Sequence, residues 1–432
     1  MKILFVEPVI FADVNTFKLS VKILDKIFNL RKRYLSNNLT FPQLAAVTPD
    51  KHSIKFIDER LEEINFEEDC DIVGITCTTQ FAPRAYQIAD KFRKRGKTVV
   101  LGGYHPSALP EEAKQHADSV VIGEGEILWP KILEDFENNN LKPFYRQVDP
   151  IDPKYIPAPR RDIIKKKLWA ARIQATRGCP HNCNFCSIPE IQGKNLRKRE
   201  IDDVIEEIKS LPQKFLIFSD ASLTIDVEYT KNLFKRMKGL KKKFCCCGNV
   251  DVLAKDDDLI ELSKKAGCIA WYIGFESFNQ TILNNIGKTT NKVEEYKSAV
   301  KKIHANKIAV IGSFISGFDE ETVESFDQLL RFINDLKIEV IEYNFLTPFP
   351  GTPLFRKIEK EGRLLTKDWT KYYEGEVVFK PKMMSPEDFH RECHRVFDKI
   401  IPMRYSAKRI LRSMKLGFYP CLWTIMQNSS WV

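Results

Sequence analysis

Short apolar runs alternate with stretches of 3.6-residue periodicity over the first 140 residues, the pattern of parallel strands joined by helices. Strands are predicted at Lys2 to Glu7, Ile54 to Ile57, Asp71 to Thr76, Thr98 to Gly102 and Ser119 to Ile122. The helix after the third strand places Phe81, Ala85, Ile88, Ala89 and Phe92 on one face and stops near Gly96. Arg31 to Phe41 is polar and basic, and is expected to be an irregular connection. Five prolines between Pro143 and Arg161 then break the rhythm and point to an extended linker. A second array follows, with strands at Ala171 to Thr176, Phe215 to Ser219, Phe244 to Cys247, Ile269 to Phe275, Ala309 to Ile315 and Val340 to Leu346. Helical patterns such as Ile201 to Leu211, Leu259 to Ala266 and Glu321 to Leu336 separate them. Six such units are too few for a closed eight-fold barrel and suit an open partial one. From Leu365 the pattern turns helical, with a helix start at Ser385-Pro386-Glu387-Asp388.

The expected architecture is therefore α/β. Residues 1–140 form a flavodoxin-like (Rossmann-like) domain, 141–165 a linker, 166–364 a partial (β/α)6 barrel of the TIM type and 365–432 a helical C-terminal extension. Ligands of doubly wound sheets lie beyond the carboxyl ends of the strands. A 43% hydrophobic content excludes wholesale disorder. No run approaches eighteen apolar residues and the start lacks signal-peptide character, so a cytoplasmic protein is expected. Lys and Arg (68) exceed Asp and Glu (58), which alone says little about partners. Eleven cysteines, odd in number and clustered, say more: in a reducing compartment they point to metal or catalysis.

Right after the first strand of the second array stands Arg177-Gly178-Cys179-Pro180-His181-Asn182-Cys183-Asn184-Phe185-Cys186. Three thiolates so spaced can each hold one iron of a four-iron cluster, leaving the fourth iron open to a substrate. Zinc is the competing metal; it would want a fourth ligand, and His181 is awkwardly placed between the cysteines to serve. Cys245-Cys246-Cys247 is declined as a second site, because consecutive strand residues point to alternate faces.

The C-x3-C-x2-C run with Phe185 before its last cysteine resembles the signature of the radical S-adenosylmethionine (radical SAM) enzymes. The resemblance implies a partial barrel, a 4Fe-4S cluster on Cys179, Cys183 and Cys186, and S-adenosylmethionine chelated to the open iron. Its reductive cleavage gives a 5′-deoxyadenosyl radical that takes hydrogen from the substrate. It also implies that Ser219 and Asp220 face the cofactor's amino group, Glu276 its ribose or amino-acid end, and the strand with Gly312 and Gly317 its adenine. The second acid and Asn common in relatives are missing, since the run reads Asp220-Ala221-Ser222. Leu346 to Pro353 is a matching run near the barrel mouth.

The first domain resembles the cobalamin-binding domain attached to one large class of these enzymes. The match lies in Thr76, Thr78 and Thr79, in Gly102, Gly103 and His105, and in Gly123, Glu124, Gly125 and Glu126, all at strand ends. Glycines there admit a bulky ligand, and threonine hydroxyls can bond its amides. The D-x-H-x-x-G loop of corrinoid proteins that coordinate cobalt is absent. Asp50 to Lys55 imitates its start, but Lys55 replaces the glycine and the segment precedes the second strand, so His52 is expected at the surface. Cobalamin is then expected without a protein histidine ligand, with His105 shaping its loop.

The function implied is C-methylation of an unactivated carbon in a small-molecule or lipid-like substrate, fed by a ferredoxin- or flavodoxin-type donor. A radical rearrangement, cyclisation or oxidation without methyl transfer, and a non-catalytic corrinoid-binding redox sensor, remain open. No nucleic-acid partner is expected. The tail with Arg404, Lys408, Arg409, Arg412 and Lys415 beside Phe418, Tyr419, Leu422 and Trp423 is expected to pack on the barrel, with peripheral membrane contact the second reading.

Overall fold

The computed structural model describes residues 1–9, 38–164 and 168–430. The first sheet contains β1 (Lys2–Glu7), β2 (Ser53–Asp58), β3 (Ile72–Thr76), β4 (Thr98–Gly102), β5 (Ser119–Ile122) and β6 (Phe144–Arg146). All pairs are parallel, in the order β2-β1-β3-β4-β5-β6. β3 and β5 are buried at every residue, as strands covered on both faces must be. The helix Ala82–Arg93 buries Ala85, Ile88, Ala89 and Phe92 completely, matching its apolar stripe.

Three local expectations change. The stretch read as linker begins with β6, because Tyr145 is buried and its hydroxyl donates to Asp135 at 2.6 Å. Of the segment expected to be irregular, residues 31–37 lie outside the described residues. Its last two residues, Thr40 and Phe41, open the helix Thr40–Ala46. There Phe41 stacks on Phe5 at 4.6 Å, and Pro42 occupies a first-turn position where no N–H is needed. His52 is buried rather than at the surface, its Nδ1 3.2 Å from the chain's terminal nitrogen.

The second array contains β7 (Ala170–Ile173), β8 (Thr176–Arg177), β9 (Arg197–Lys198), β10 (Phe215–Phe218), β11 (Lys243–Cys247), β12 (Cys268–Glu276), β13 (Ala309–Ser316) and β14 (Val340–Phe345). β7, β10, β11, β12, β13 and β14 form an open parallel sheet in sequence order, the expected six-unit partial barrel. β8 and β9 are a short antiparallel pair flanking the cysteine loop.

The end of the helical extension closes the amino-terminal end of this barrel. Ala170, Phe215, Ile269, Ala309 and Val340, near the strand starts, form one buried cluster with Leu416 and Trp423. Arg409 is buried beneath the tail and donates to Asn428 Oδ1 at 2.7 Å and to the Ile400 carbonyl at 2.6 Å. Asn428 in turn donates to the Glu339 carbonyl at 3.0 Å. No helix among the described residues is long and apolar enough to cross a membrane.

Candidate functional site

The carboxyl ends of the two sheets face one cavity of about 330 Å³. The first domain lines it with Thr76, Gly102, Gly103 and Gly123 to Glu126, and the barrel with Arg172, Gln174, Arg177 and Ser219.

The cysteine loop owes its shape to its backbone. Gly178 has φ +86°, and a Cβ there would lie 2.2 Å from the Asn195 carbonyl oxygen, so only glycine fits. Cys179 N donates to the Gly193 carbonyl at 3.1 Å, and Asn184 N to the Ile286 carbonyl at 2.9 Å. Leu354 N donates to the Asn184 carbonyl at 2.9 Å, which fastens the loop to the Leu346–Pro353 run. The thiols make only light contacts with this scaffold: Cys183 Sγ lies 3.9 Å from the Gly287 carbonyl, and the backbone N–H groups of His181 and Ile188 donate to Cys179 and Cys186. Burial pushes the Cys183 thiol up to about 11 against the pull of Lys288, and raises Cys179 and Cys186 as well.

Lys288 is half-buried beside these thiols, with its Nζ 2.9 Å from Glu276 Oε1. Burial works against its charge, but Glu276 and the thiols of Cys183 and Cys186 hold its pKa above the usual lysine value. A fixed cation here offsets the negative charge of thiolates, which metal binding must create by displacing protons. Among the described residues no three His, Cys, Asp or Glu side chains converge on one point as ligands of a single ion. A four-iron cluster asks for one thiolate per iron instead. His181 Nε2 lies 3.2 Å from Asn249 Nδ2. The donor set therefore fits an iron–sulfur cluster better than zinc. Phe185 packs edge-on to Phe318 at 6.4 Å.

Asp220 buttresses the same loop from behind. Its Oδ1 accepts from Ala175 N at 3.0 Å, from Thr176 Oγ1 at 2.7 Å and from Thr176 N. Its Oδ2 is buried with no partner, and burial lifts its pKa to about 6 despite the Thr176 bonds. Ser219 Oγ accepts from Arg172 at 3.3 Å and lines the cavity. Glu276 sits at φ +60°, a left-handed backbone that costs a non-glycine residue energy. Gly312 and Gly317 serve packing: a Cβ would come within 2.5 Å of Ile338 at the first and 2.7 Å of Phe389 at the second.

In the first domain the expected corrinoid residues divide. Thr76, Gly102, Gly103, Gly123, Glu124, Gly125 and Glu126 line the cavity. Gly103 has φ +100°, and a Cβ there would lie 2.5 Å from Thr76 Oγ1. Thr78 is exposed and Thr79 buried in the turn leading to the next helix, and neither is among the cavity residues. His105 is fully buried behind the wall, its Nε2 3.1 Å from Glu112 and its ring 5.3 Å from that of Trp369. It shapes its loop and is absent from the cavity lining.

The carboxylates of Glu124 and Glu126 have other partners. Arg177 donates to Glu124 at 3.0 Å and to Glu126 at 2.5 Å, and Arg197 donates to Glu124 at 2.8 Å. Arg177 also donates to Gln43 Oε1 at 3.1 Å. This buried network ties the first domain to a residue two places ahead of Cys179. Sequence reasoning missed Gln43, Arg177, Arg197 and Lys288. Arg177 carried a signal, being the one cation beside the cysteine run; Gln43 carried none. The Gln43 amide nitrogen is buried, unpartnered and borders the cavity. An amide donor over a glycine-lined floor fits a ring rich in amide carbonyls, so the residues present suit a corrinoid.

A doubly wound sheet facing a partial barrel, with three cysteines at the barrel mouth, is the arrangement that the resemblance to cobalamin-binding radical SAM enzymes implies. Residues 173–333 match the radical SAM superfamily and residues 44–133 the B12 binding domain. The chain is 33% identical over 398 residues to bacteriochlorophyllide d C-12(1)-methyltransferase of Chlorobaculum tepidum, spanning 88% of this chain and 85% of that protein. It is 32% identical over 392 residues to the C-8(2)-methyltransferase of the same organism, spanning 85% of each. In fold it resembles the radical S-adenosylmethionine methyltransferase TsrM of Kitasatospora setae, solved with cobalamin and a 4Fe-4S cluster bound. The TM-score is 0.67 at 16% identity, over 90% of this chain and 84% of that one. The chain belongs to the cobalamin-binding radical SAM enzymes, whose cofactors are a 4Fe-4S cluster, S-adenosylmethionine and cobalamin.

Proposed function

We propose that the enzyme methylates an unactivated carbon of a small-molecule substrate held between its two domains. The observation that carries this reading is the cavity of about 330 Å³ shared by the glycine loops of the first sheet and the barrel residues next to the cysteine loop. When bound, the cluster with S-adenosylmethionine supplies a radical at the substrate carbon and the corrinoid supplies the methyl group. Cys179, Cys183 and Cys186 hold the cluster, and Lys288 balances their charge. Asp220 fixes the strand end before the loop and offers its unpaired Oδ2 to a cationic group. Thr76, Gly102, Gly103, Gly123 and Gly125 form the corrinoid floor, and the Gln43 amide donates to it. Electrons come from a ferredoxin- or flavodoxin-type protein, in a cytoplasm that keeps the thiols reduced.

The relatives named for bacteriochlorophyllide d make a pigment of that type the first substrate to try. The test is anaerobic reconstitution with iron, sulfide and hydroxocobalamin, followed by turnover with methyl-labelled S-adenosylmethionine. Label in the product together with 5′-deoxyadenosine is expected. Release of 5′-deoxyadenosine with an unlabelled, altered product would indicate a rearrangement, cyclisation or oxidation. No 5′-deoxyadenosine at all would indicate a sensor.

A further inference from the structure

The end of the barrel opposite the cavity carries a surface that the reaction leaves unused. No acidic residue follows Asp398 in the chain. In the helix Met403–Ser413 and the turn after it, Arg404, Lys408, Leu411 and Lys415 recur at steps of four, three and four, so they share one face, and all are exposed. The opposite face, with Ser406, Arg409 and Ser413, is buried on the barrel. Leu411, Met414 and Phe418 are 64%, 62% and 72% exposed, three large apolar side chains within eight residues. Phe418 packs against Tyr419 with ring centres 5.2 Å apart. The Tyr419 hydroxyl accepts from Lys214 at 2.6 Å, and the Lys214 and Lys243 ammonium groups lie 4.8 and 4.9 Å from its ring centre. The apolar trio thus continues into a second group of cations, and the exposed Lys241 stands two residues before Lys243 in the chain.

We propose that this face is a peripheral binding surface for a bilayer of anionic phospholipid. Leu411, Met414 and Phe418 enter the acyl boundary while Arg404, Lys408, Lys415, Lys214 and Lys241 meet headgroup phosphates. The pairing of exposed apolar side chains with cations alone is what an anionic interface selects. Because Arg409 and Asn428 fix the tail rigidly under the barrel, docking this end points the cavity away from the membrane. The substrate then enters from the aqueous side. This inference does not rest on the methylation reading, and each can fail without the other.

The experiment is co-sedimentation of the full chain with phosphatidylglycerol–phosphatidylcholine vesicles and with phosphatidylcholine vesicles alone. Binding to the anionic vesicles only, weakened by high salt, is expected. Each surface cation contributes roughly fivefold, so Lys408→Gln with Lys415→Gln lowers partitioning about thirtyfold. Leu411→Ser with Met414→Ser and Phe418→Ser lowers it at least about tenfold. Both variants retain wild-type melting temperature and iron content, because the replaced side chains are exposed and remote from the cavity. Equal binding to neutral vesicles, no binding at low salt, or unchanged binding of both variants would overturn the proposal. So would self-association, or RNA binding without vesicle binding, that the triple variant abolishes.

Discussion

The cysteine loop and the Gly123–Glu126 loop are both glycine-bearing turns at the carboxyl ends of parallel strands, yet they use their atoms in opposite ways. In the cysteine loop the backbone does the fastening, through Cys179 N, Asn184 N and the Asn184 carbonyl, and the thiols carry little of it. In the other loop the side chains do the fastening. Glu124 and Glu126 grip Arg177 and Arg197 across the domain seam, and what remains for a ligand is mainly glycine backbone. A position beside a cofactor therefore does not say which part of a residue meets it.

The sharpest way to test the contrast is to delete one thiol. Cys183→Ala is expected to abolish the cluster, with iron and 5′-deoxyadenosine formation at background, while the fold and corrinoid uptake persist. Iron analysis beside the corrinoid absorbance spectrum measures both. Loss of corrinoid binding in equal measure would show that the loop scaffolds the interface after all.

Deleting the arginine should do the reverse and strike the fold. Arg177→Met leaves Glu126 buried without its arginine and Glu124 on Arg197 alone, which costs about 3–5 kcal/mol. Denaturant unfolding should show that loss, and Glu126→Gln added to Arg177→Met should recover part of it. A loss below about 1 kcal/mol would mean that water reaches the seam and the clamp is weak.

What the sequence revealed follows the same division. Strand positions in both sheets, the partial barrel and the cysteine loop were legible, because each rests on local periodicity or on residues within one short run. The partners of Glu124 and Glu126 were not. Arg177 lies 53 and 51 residues further on, and no local pattern encodes a pairing made only when two domains dock. His105 shapes its loop as expected, through a hydrogen bond to Glu112 and contact with Trp369. The burial of His52 was not legible, since its neighbour is the chain's own start. β6 hid among prolines, and its pairing depends on an edge that five earlier strands provide.

Glu7, at the end of β1, is an acid at this seam whose pairing is incomplete. Arg60 Nη2 is 3.8 Å away and bonds mainly to Asp58. Burial dominates and lifts the Glu7 pKa to about 7, against the pull of Arg60. Below the unfolded value of about 4.5 both states are protonated. As pH rises from there to about 7 the unfolded chain ionises first, so stability falls, and above about 7 it levels off. The full shift corresponds to at most about 3–4 kcal/mol. Glu7→Gln should flatten that part of a stability profile measured between pH 4.5 and 8. An unchanged slope would place the titration on another acid, such as Glu321, which burial pushes up to about 8.

The smallest effect expected is also the most selective. Gln43 touches both halves of the comparison, since its Oε1 belongs to the arginine clamp and its Nε2 faces the cavity unpartnered. Gln43→Leu removes one neutral hydrogen bond to the corrinoid, about 1 kcal/mol or roughly fivefold in affinity. Arg177 keeps both carboxylates, so melting temperature and iron content should hardly move. Titration of hydroxocobalamin into the variant by visible absorbance separates the outcomes. A fivefold weaker Kd with an intact cluster makes Gln43 a corrinoid contact that the clamp merely holds in place. An unchanged Kd with a lower melting temperature would make it part of the clamp alone, and the corrinoid would then rest on glycine backbone and Thr76.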